Sequence, residues 1–168
     1  MEDNAIEILD SHRILTISTL RPDGWPQSTI VGYANDALRI YFLIFRSSQK
    51  FANIRQDRRV SIAVGEEPRD MREAKAVFAG AKAWEVVEPE ERKHAWRLLV
   101  ERHPNLADFD LPASSQAALM RADCKHVSAL DYTEGFGHTE AFSIGEGDAP
   151  HGHARRKEEW GSSFASDI

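Results

Sequence analysis

The sequence predicts a mainly β protein: a small antiparallel barrel with a crossover helix and short flanking helices. Three observations predict it. Short runs of β-branched and aromatic residues recur from Ile14 to Val87. The earliest of them are joined by tight turn signals, which suit antiparallel neighbours and leave no room for a parallel crossover. One longer helical pattern, Pro89 to Arg102, then separates them from a last extended stretch at 117–131, so a single helix must carry the chain across the sheet.

Residues 1–13 predict a short amphipathic helix with Ala5, Ile6 and Leu9 on one side. ILTISTL, residues 14–20, alternates in the manner of a strand and turns Leu15 and Ile17 inward. Arg21-Pro22-Asp23-Gly24 is a turn: proline presets one backbone angle and Gly24 permits the positive one. WPQSTIVGYA, residues 25–34, is the return strand, with Pro26 near its start or on an edge because it cannot donate to a ladder. Asn35-Asp36 is expected to make the next turn. Residues 37–45 form the third strand, so evenly apolar that one face is expected on the core and the other on a partner surface.

Residues 48–56 predict a short helix, capped by Ser47 or Ser48 and anchored by Phe51 and Ile54. A strand follows at 60–65, then a polar loop through Pro68, then a long strand at 74–88 in which Gly80 marks a bend or a close approach by a ligand. Pro89-Glu90-Glu91 opens the crossover helix, since proline and acids suit a first turn. Trp96, Leu99 and Val100 are its expected anchors. Leu106, Phe109 and Leu111 are expected to anchor the connector at 105–114. In the stretch 117–131, Asp123 and Lys125 mark a turn or bulge. The domain reading is one unit over 1–134, followed by a glycine-rich, charged tail over 135–168.

A net charge of -6 weighs against nucleic acid as the main partner. Cys124 is the only cysteine, which excludes an intrachain disulfide and a cysteine-cluster metal site and fits the reducing cytoplasm. The acidic start MEDNAIEILD lacks the character of a signal peptide, and no apolar run approaches the roughly 20 residues that a membrane span needs.

The chemistry concentrates in RIYFLIFRSSQKFANIRQDRR, residues 39–59. An apolar strand stops at Arg46-Ser47-Ser48, and Lys50 sits in the first turn of the helix behind it. Guanidinium, hydroxyls, ammonium and the free amides of a helix start together suit an anion such as a phosphate. An ordinary helix cap on a solvated strand end would also account for them. No GxGxxG or GxxxxGK[ST] pattern is present, so neither a Rossmann site nor a P-loop is indicated. Gln27, Ser28 and Thr29 could meet a planar heterocycle or simply line the wet face of a strand. Tyr33, Tyr41, Trp84 and Trp96 suit an aromatic ligand or the core. His151-Gly152-His153, with His138, is a weak metal tract more in keeping with a solvated tail, so no metal site is assigned.

Four segments in order, ILTISTLRPDGWPQSTIV, LRIYFLIFRSSQKFANIRQDRRVSIAV, VFAGAKAWEV and KHVSALDYTEGFGH, resemble the pyridoxamine 5'-phosphate oxidase-like family of FMN-binding, Greek-key split barrels. The resemblance spans Ile14 to Asp131. It implies FMN bound between the subunits of a homodimer. Arg46, Ser47, Ser48 and Lys50 would hold the phosphate, and Gln27, Ser28 and Thr29 would flank the flavin. Gly80 and Trp84 would close the pocket from the partner. It implies an FMN-dependent oxidoreductase passing electrons between a reduced nicotinamide or small organic substrate and an acceptor. The alternatives in the same architecture are a deazaflavin-dependent reductase or a flavin- or haem-binding protein without catalysis. No catalytic acid or base is identified; Tyr132 and His138 are the candidates. ARRKEEW, residues 154–160, does not reproduce the C-terminal arginine pattern of true pyridoxamine 5'-phosphate oxidases, so that particular activity is not implied.

Overall fold

The computed structural model describes residues 1–108 and 115–145. Helix α1 (Glu2–Ser11) leads into strands β1 (Ile14–Leu20), β2 (Pro26–Asp36) and β3 (Arg39–Phe45). Helix α2 (Gln49–Gln56) precedes β4 (Arg59–Gly65) and β5 (Lys75–Glu85), and helix α3 (Pro89–Arg102) precedes β6 (Ala117–Asp131) and β7 (Thr139–Ser143). Every strand pair is antiparallel, in the order β3-β2-β1-β4-β5-β6-β7. β3 pairs again with β6, which closes β1 to β6 into a six-stranded barrel. Because α2 carries the chain from β3 to the far side of β1, the connection is a Greek-key crossover.

The alternation of β1 and β4 turns Leu15, Ile17, Val60, Ile62 and Val64 into the barrel, where they meet Tyr33, Ile40 and Phe42. Ala5, Ile8 and Leu9 of α1 join the same core. Ile8, not Ile6, is the residue most deeply set beside Leu9; Ile6 packs at the margin. A second, smaller core lies outside the barrel. There Ala95 and Leu99 of α3 pack on Ala34, Tyr41 and Leu119, with Leu43, Trp96 and Leu106 at its edge. Around Tyr41 and Leu43 the outward face of β3, expected on a partner surface, is covered by the chain's own crossover helix, while Phe45 on the same face is 61% exposed.

Two further details, the turn after β2 and a seventh strand, differ from expectation, while the expected irregularity in 117–131 is a bulge. The turn after β2 falls at Ala37-Leu38, with Ala37 at φ +51°, because Asn35 is held inside β2. Its amide donates to Asp10 Oδ1 and to the Ala37 carbonyl, and its oxygen accepts from Arg102. Residues 117–131 form one strand whose register slips between Gly80 and Ala81 of β5, opposite His126 and Cys124. Lys125 is thus the extra residue of a bulge. Beyond Asp131, where a loose tail is expected, Thr139–Ser143 adds to the outer half of β6. Phe109, Leu111, the 151–153 histidine tract and residues 154–160 lie outside the described residues. No helix among the described residues is long and apolar enough to cross a membrane.

Candidate functional site

The barrel wall parts between β2 and β3. Only Tyr33 to Asp36 of β2 pair with β3; residues 26–32 pair with β1 alone. On the other lip, Leu43 to Phe45 pair with β6 alone. The first half of β2 therefore has one edge without a neighbouring strand, and the end of β3 runs from the opposite lip straight into α2.

That junction is built by local forces. Ser48 caps α2: its hydroxyl donates to the Phe45 carbonyl at 2.6 Å and accepts the Phe51 amide at 3.3 Å. Phe51 and Ile54 bury the inner side of the helix, as the sequence predicts. Arg46 lies over the Phe51 ring, 5.5 Å from its centre, and donates through both terminal nitrogens to the Glu85 carboxylate, one of them at 3.0 Å. Ser47 is exposed. The Lys50 ammonium makes no hydrogen bond or ion pair among the described residues.

The other lip is joined to the helix by a buried amide. Asn53 is fully buried and donates to Thr19 Oγ1 at 3.0 Å and to Gln27 Oε1 at 3.2 Å, while its oxygen accepts from Gln49 at 2.8 Å. Two residues on from Gln27, Thr29 Oγ1 is buried with no partner among the described residues. Ser28 points the other way, its hydroxyl 2.7 Å from Ser18 on the outer face of the sheet. Register places Ser28, Ser18, Ser61 and Gly80 in one row across that face.

Trp84 lies under the Arg121 guanidinium, 4.4 Å from its ring centre. It lines a cavity of about 400 Å³ with Phe51, Arg55, Arg58 and Glu85. Arg46, Ser47, Ser48 and Lys50 thus stand together, Gln27 is tied to them through Asn53, and Trp84 borders the same helix. Ser28 and Gly80 belong to the outer face instead. Tyr132 and His138 flank the turn after Asp131, which pairs with Lys75 at the start of β5, roughly 30 Å from the Trp84 end. Tyr33 and Tyr41 are core groups: one hydroxyl donates to the Leu9 carbonyl and the other to Glu91. Burial pushes the Cys124 thiol up to about 12, which removes it as a nucleophile.

Sequence reasoning missed Asn53 and Glu85. A polar residue beside Ile54 on the anchored side of α2 was a usable signal for the first. Glu85 carried none. It meets Arg46 only because β6 pairs with both neighbours, setting Phe45 opposite Ala117 and Glu85 opposite Met120.

The family model described as pyridoxamine 5'-phosphate oxidase matches residues 1–131. No curated protein matches the chain by sequence. Among solved structures it is similar to a haem-binding protein of Mycobacterium smegmatis, with TM-score 0.70 and 17% identity over 83% of this chain. The chain spans 57% of that protein's length. A conserved hypothetical protein of Mycobacterium tuberculosis aligns with TM-score 0.70 and 24% identity, over 86% of this chain and 92% of the other. An FAD-binding protein of Mesorhizobium loti aligns with TM-score 0.61 and 21% identity, over 77% and 93%. At these identities the likeness is one of fold.

Proposed function

This chain belongs to the pyridoxamine 5'-phosphate oxidase family, and on that premise we propose that it binds a flavin, FMN, at the parted lips of β2 and β3. The observation that carries the reading is the chemistry left unsatisfied there. Among the described residues the Lys50 ammonium has no partner on one lip and the buried Thr29 Oγ1 has none on the other. A phosphomonoester suits the first, and a heterocycle edge with its own donors and acceptors suits the second. Lys50, Ser47 and Ser48 hold the phosphate. Arg46 joins them by exchanging its carboxylate partner Glu85 for phosphate oxygens. Gln27 and Thr29 stand beside the ring, with Asn53 fixing Gln27.

Ser28 and Gly80 contribute through a second copy of the chain in this reading, and Trp84 borders α2 of its own chain. Ile30 and Phe78, exposed by 68% and 43%, share one cross-strand row through Thr16 and Ala63. Next to it runs the row of small residues Ser28, Ser18, Ser61 and Gly80. The exposed apolar side chains of Ile30 and Phe78 on this face support a homodimer packed through it.

Bound FMN supplies two-electron chemistry through its ring, and the chain supplies binding, orientation and shielding. The protein then acts as an oxidoreductase between a reduced nicotinamide or small organic donor and an acceptor. The M. loti likeness supports a flavin. The M. smegmatis likeness favours a second reading, haem binding on the same barrel. An absorption spectrum of the untreated protein, with mass identification of any released ligand, separates the two: flavin bands for the first, an intense Soret band for the second. A protein that retains neither ligand after incubation with each, or that stays monomeric when flavin-loaded, overturns the corresponding part of the reading.

A further inference from the structure

A second site lies on the opposite side of the barrel from the β2–β3 split, among β4, β5 and β6. A cavity of about 450 Å³ there is lined by Arg59, Ser61, Gly80, Lys82, Lys125 and His126, with Ile144 closing one side. Its volume falls in the range of small-molecule pockets. Three facts give it a sign. Arg59 and Lys82 sit directly opposite each other on adjacent strands, a like-charge pairing that costs stability unless an anion lies between them. Lys125 is the extra residue of the β6 bulge, a device that redirects a side chain and here sets a third cation beside His126. Neither Lys82 nor Lys125 makes an ion pair or side-chain hydrogen bond among the described residues.

The nearby acids are already claimed. Asp57 holds Arg59 at 2.6 Å. Asp123, the cross-strand neighbour of Lys82, is held by Arg39 at 3.0 Å and by Arg121 at 2.9 Å. Among the described residues, two lysine charges therefore stand uncompensated at one cavity. Ser61 Oγ adds a hydroxyl, and Gly80, lacking a side chain, leaves space beside His126. We propose that this cavity binds a small organic dianion, a phosphate ester or a dicarboxylate, at a site separate from the one assigned to FMN phosphate.

The test uses the full chain labelled with ¹⁵N and titrated at fixed ionic strength with inorganic pyrophosphate and, separately, with succinate. The expected result is saturable movement of the amide signals of Lys82, Lys125 and His126, with affinity about tenfold or more weaker in Lys82→Gln/Lys125→Gln. That variant retains FMN as the wild type does. A response to pyrophosphate assigns the phosphate source, and a response to succinate the carboxylate. Lys50→Ala, measured alongside, leaves these shifts intact. Shifts confined to Ser47, Ser48 and Lys50, equal affinity in the double variant, or no response to either probe overturns the proposal. Because signal position separates the two sites, failure here leaves the FMN reading standing, and the reverse also holds.

Discussion

Replacing Lys50 by alanine isolates the phosphate contact. The ammonium has no partner among the described residues, so its loss removes no contact seen to hold the fold together. Alanine is also the better helix former by a few tenths of a kcal/mol. Folding stability is therefore expected to stay within about 0.5 kcal/mol of wild type in urea titrations. Affinity for FMN should behave differently. A charge-assisted contact to a phosphate oxygen contributes about 1.5–3 kcal/mol, which corresponds to roughly 10- to 150-fold in dissociation constant. The discriminating assay compares FMN with riboflavin, which carries the same ring and no phosphate, by flavin fluorescence titration of apoprotein. Wild type should prefer FMN, and Lys50→Ala should lose most of that preference while binding riboflavin unchanged. If both ligands weaken equally, Lys50 acts through the fold. If neither weakens, the phosphate is held elsewhere and the reasoning from the β3–α2 junction fails.

Glu85→Gln weakens the carboxylate hold on Arg46; because that pair is partly exposed, folding should change by less than about 1 kcal/mol while FMN affinity rises several-fold in the same titration. Asn53→Ala strips the buried Thr19 hydroxyl of its donor and should cost about 2–4 kcal/mol in urea unfolding; a loss under about 0.5 kcal/mol would mean that water replaces the amide. Burial works to raise the Asp131 carboxyl, but hydrogen bonds from Thr133 and Lys75 outweigh it and hold it below its ordinary 3.8. Its stabilising effect is therefore complete above pH 3.8 and lost as pH falls through the lower folded value. Asp131→Asn should accordingly be less stable than wild type at pH 7, with the gap narrowing only in the acid range; a gap of constant size across the pH series would show that the charge is irrelevant.

Most of the barrel was legible in the chain because its strands alternate cleanly and its turns use residues with few options. Leu15 and Ile17 point inward as their spacing requires, Gly24 takes the positive φ that its turn needs, and α3 spans Pro89–Arg102 as its pattern predicts. The errors fall where tertiary contacts outrank local signals. Asn35 is a turn former by composition, yet Asp10 and Arg102 hold it in β2 and move the turn to Ala37. TEAFS is too short and too polar to declare itself, and becomes β7 only because the outer half of β6 offers an edge. The apolar outer side of β3 was expected on a partner surface, but around Tyr41 and Leu43 it packs on α3, a contact that only the folded topology creates. At the site, the cluster from Arg46 to Lys50 is contiguous and so was visible. Glu85 and the open edge of β2 are products of register.

That open edge connects fold and site. Every residue of β3 from Arg39 to Phe45 is paired with β6, and closing the barrel there pulls the end of β3 away from β2. The unpaired edge of residues 26–32 would ordinarily invite another strand. Here α2 stands beside it, with Asn53 donating to Gln27. On the proposed reading, a planar ligand with a charged tail would meet Thr29 and Lys50 there. Barrel closure at β3–β6 is therefore a precondition of the site, and a substitution that loosened that seam, such as Ala118→Asp at a fully buried position, should abolish flavin retention together with folding. Lys50→Ala, by contrast, should abolish the phosphate preference alone, and the difference between these two phenotypes separates the scaffold from the contact it presents.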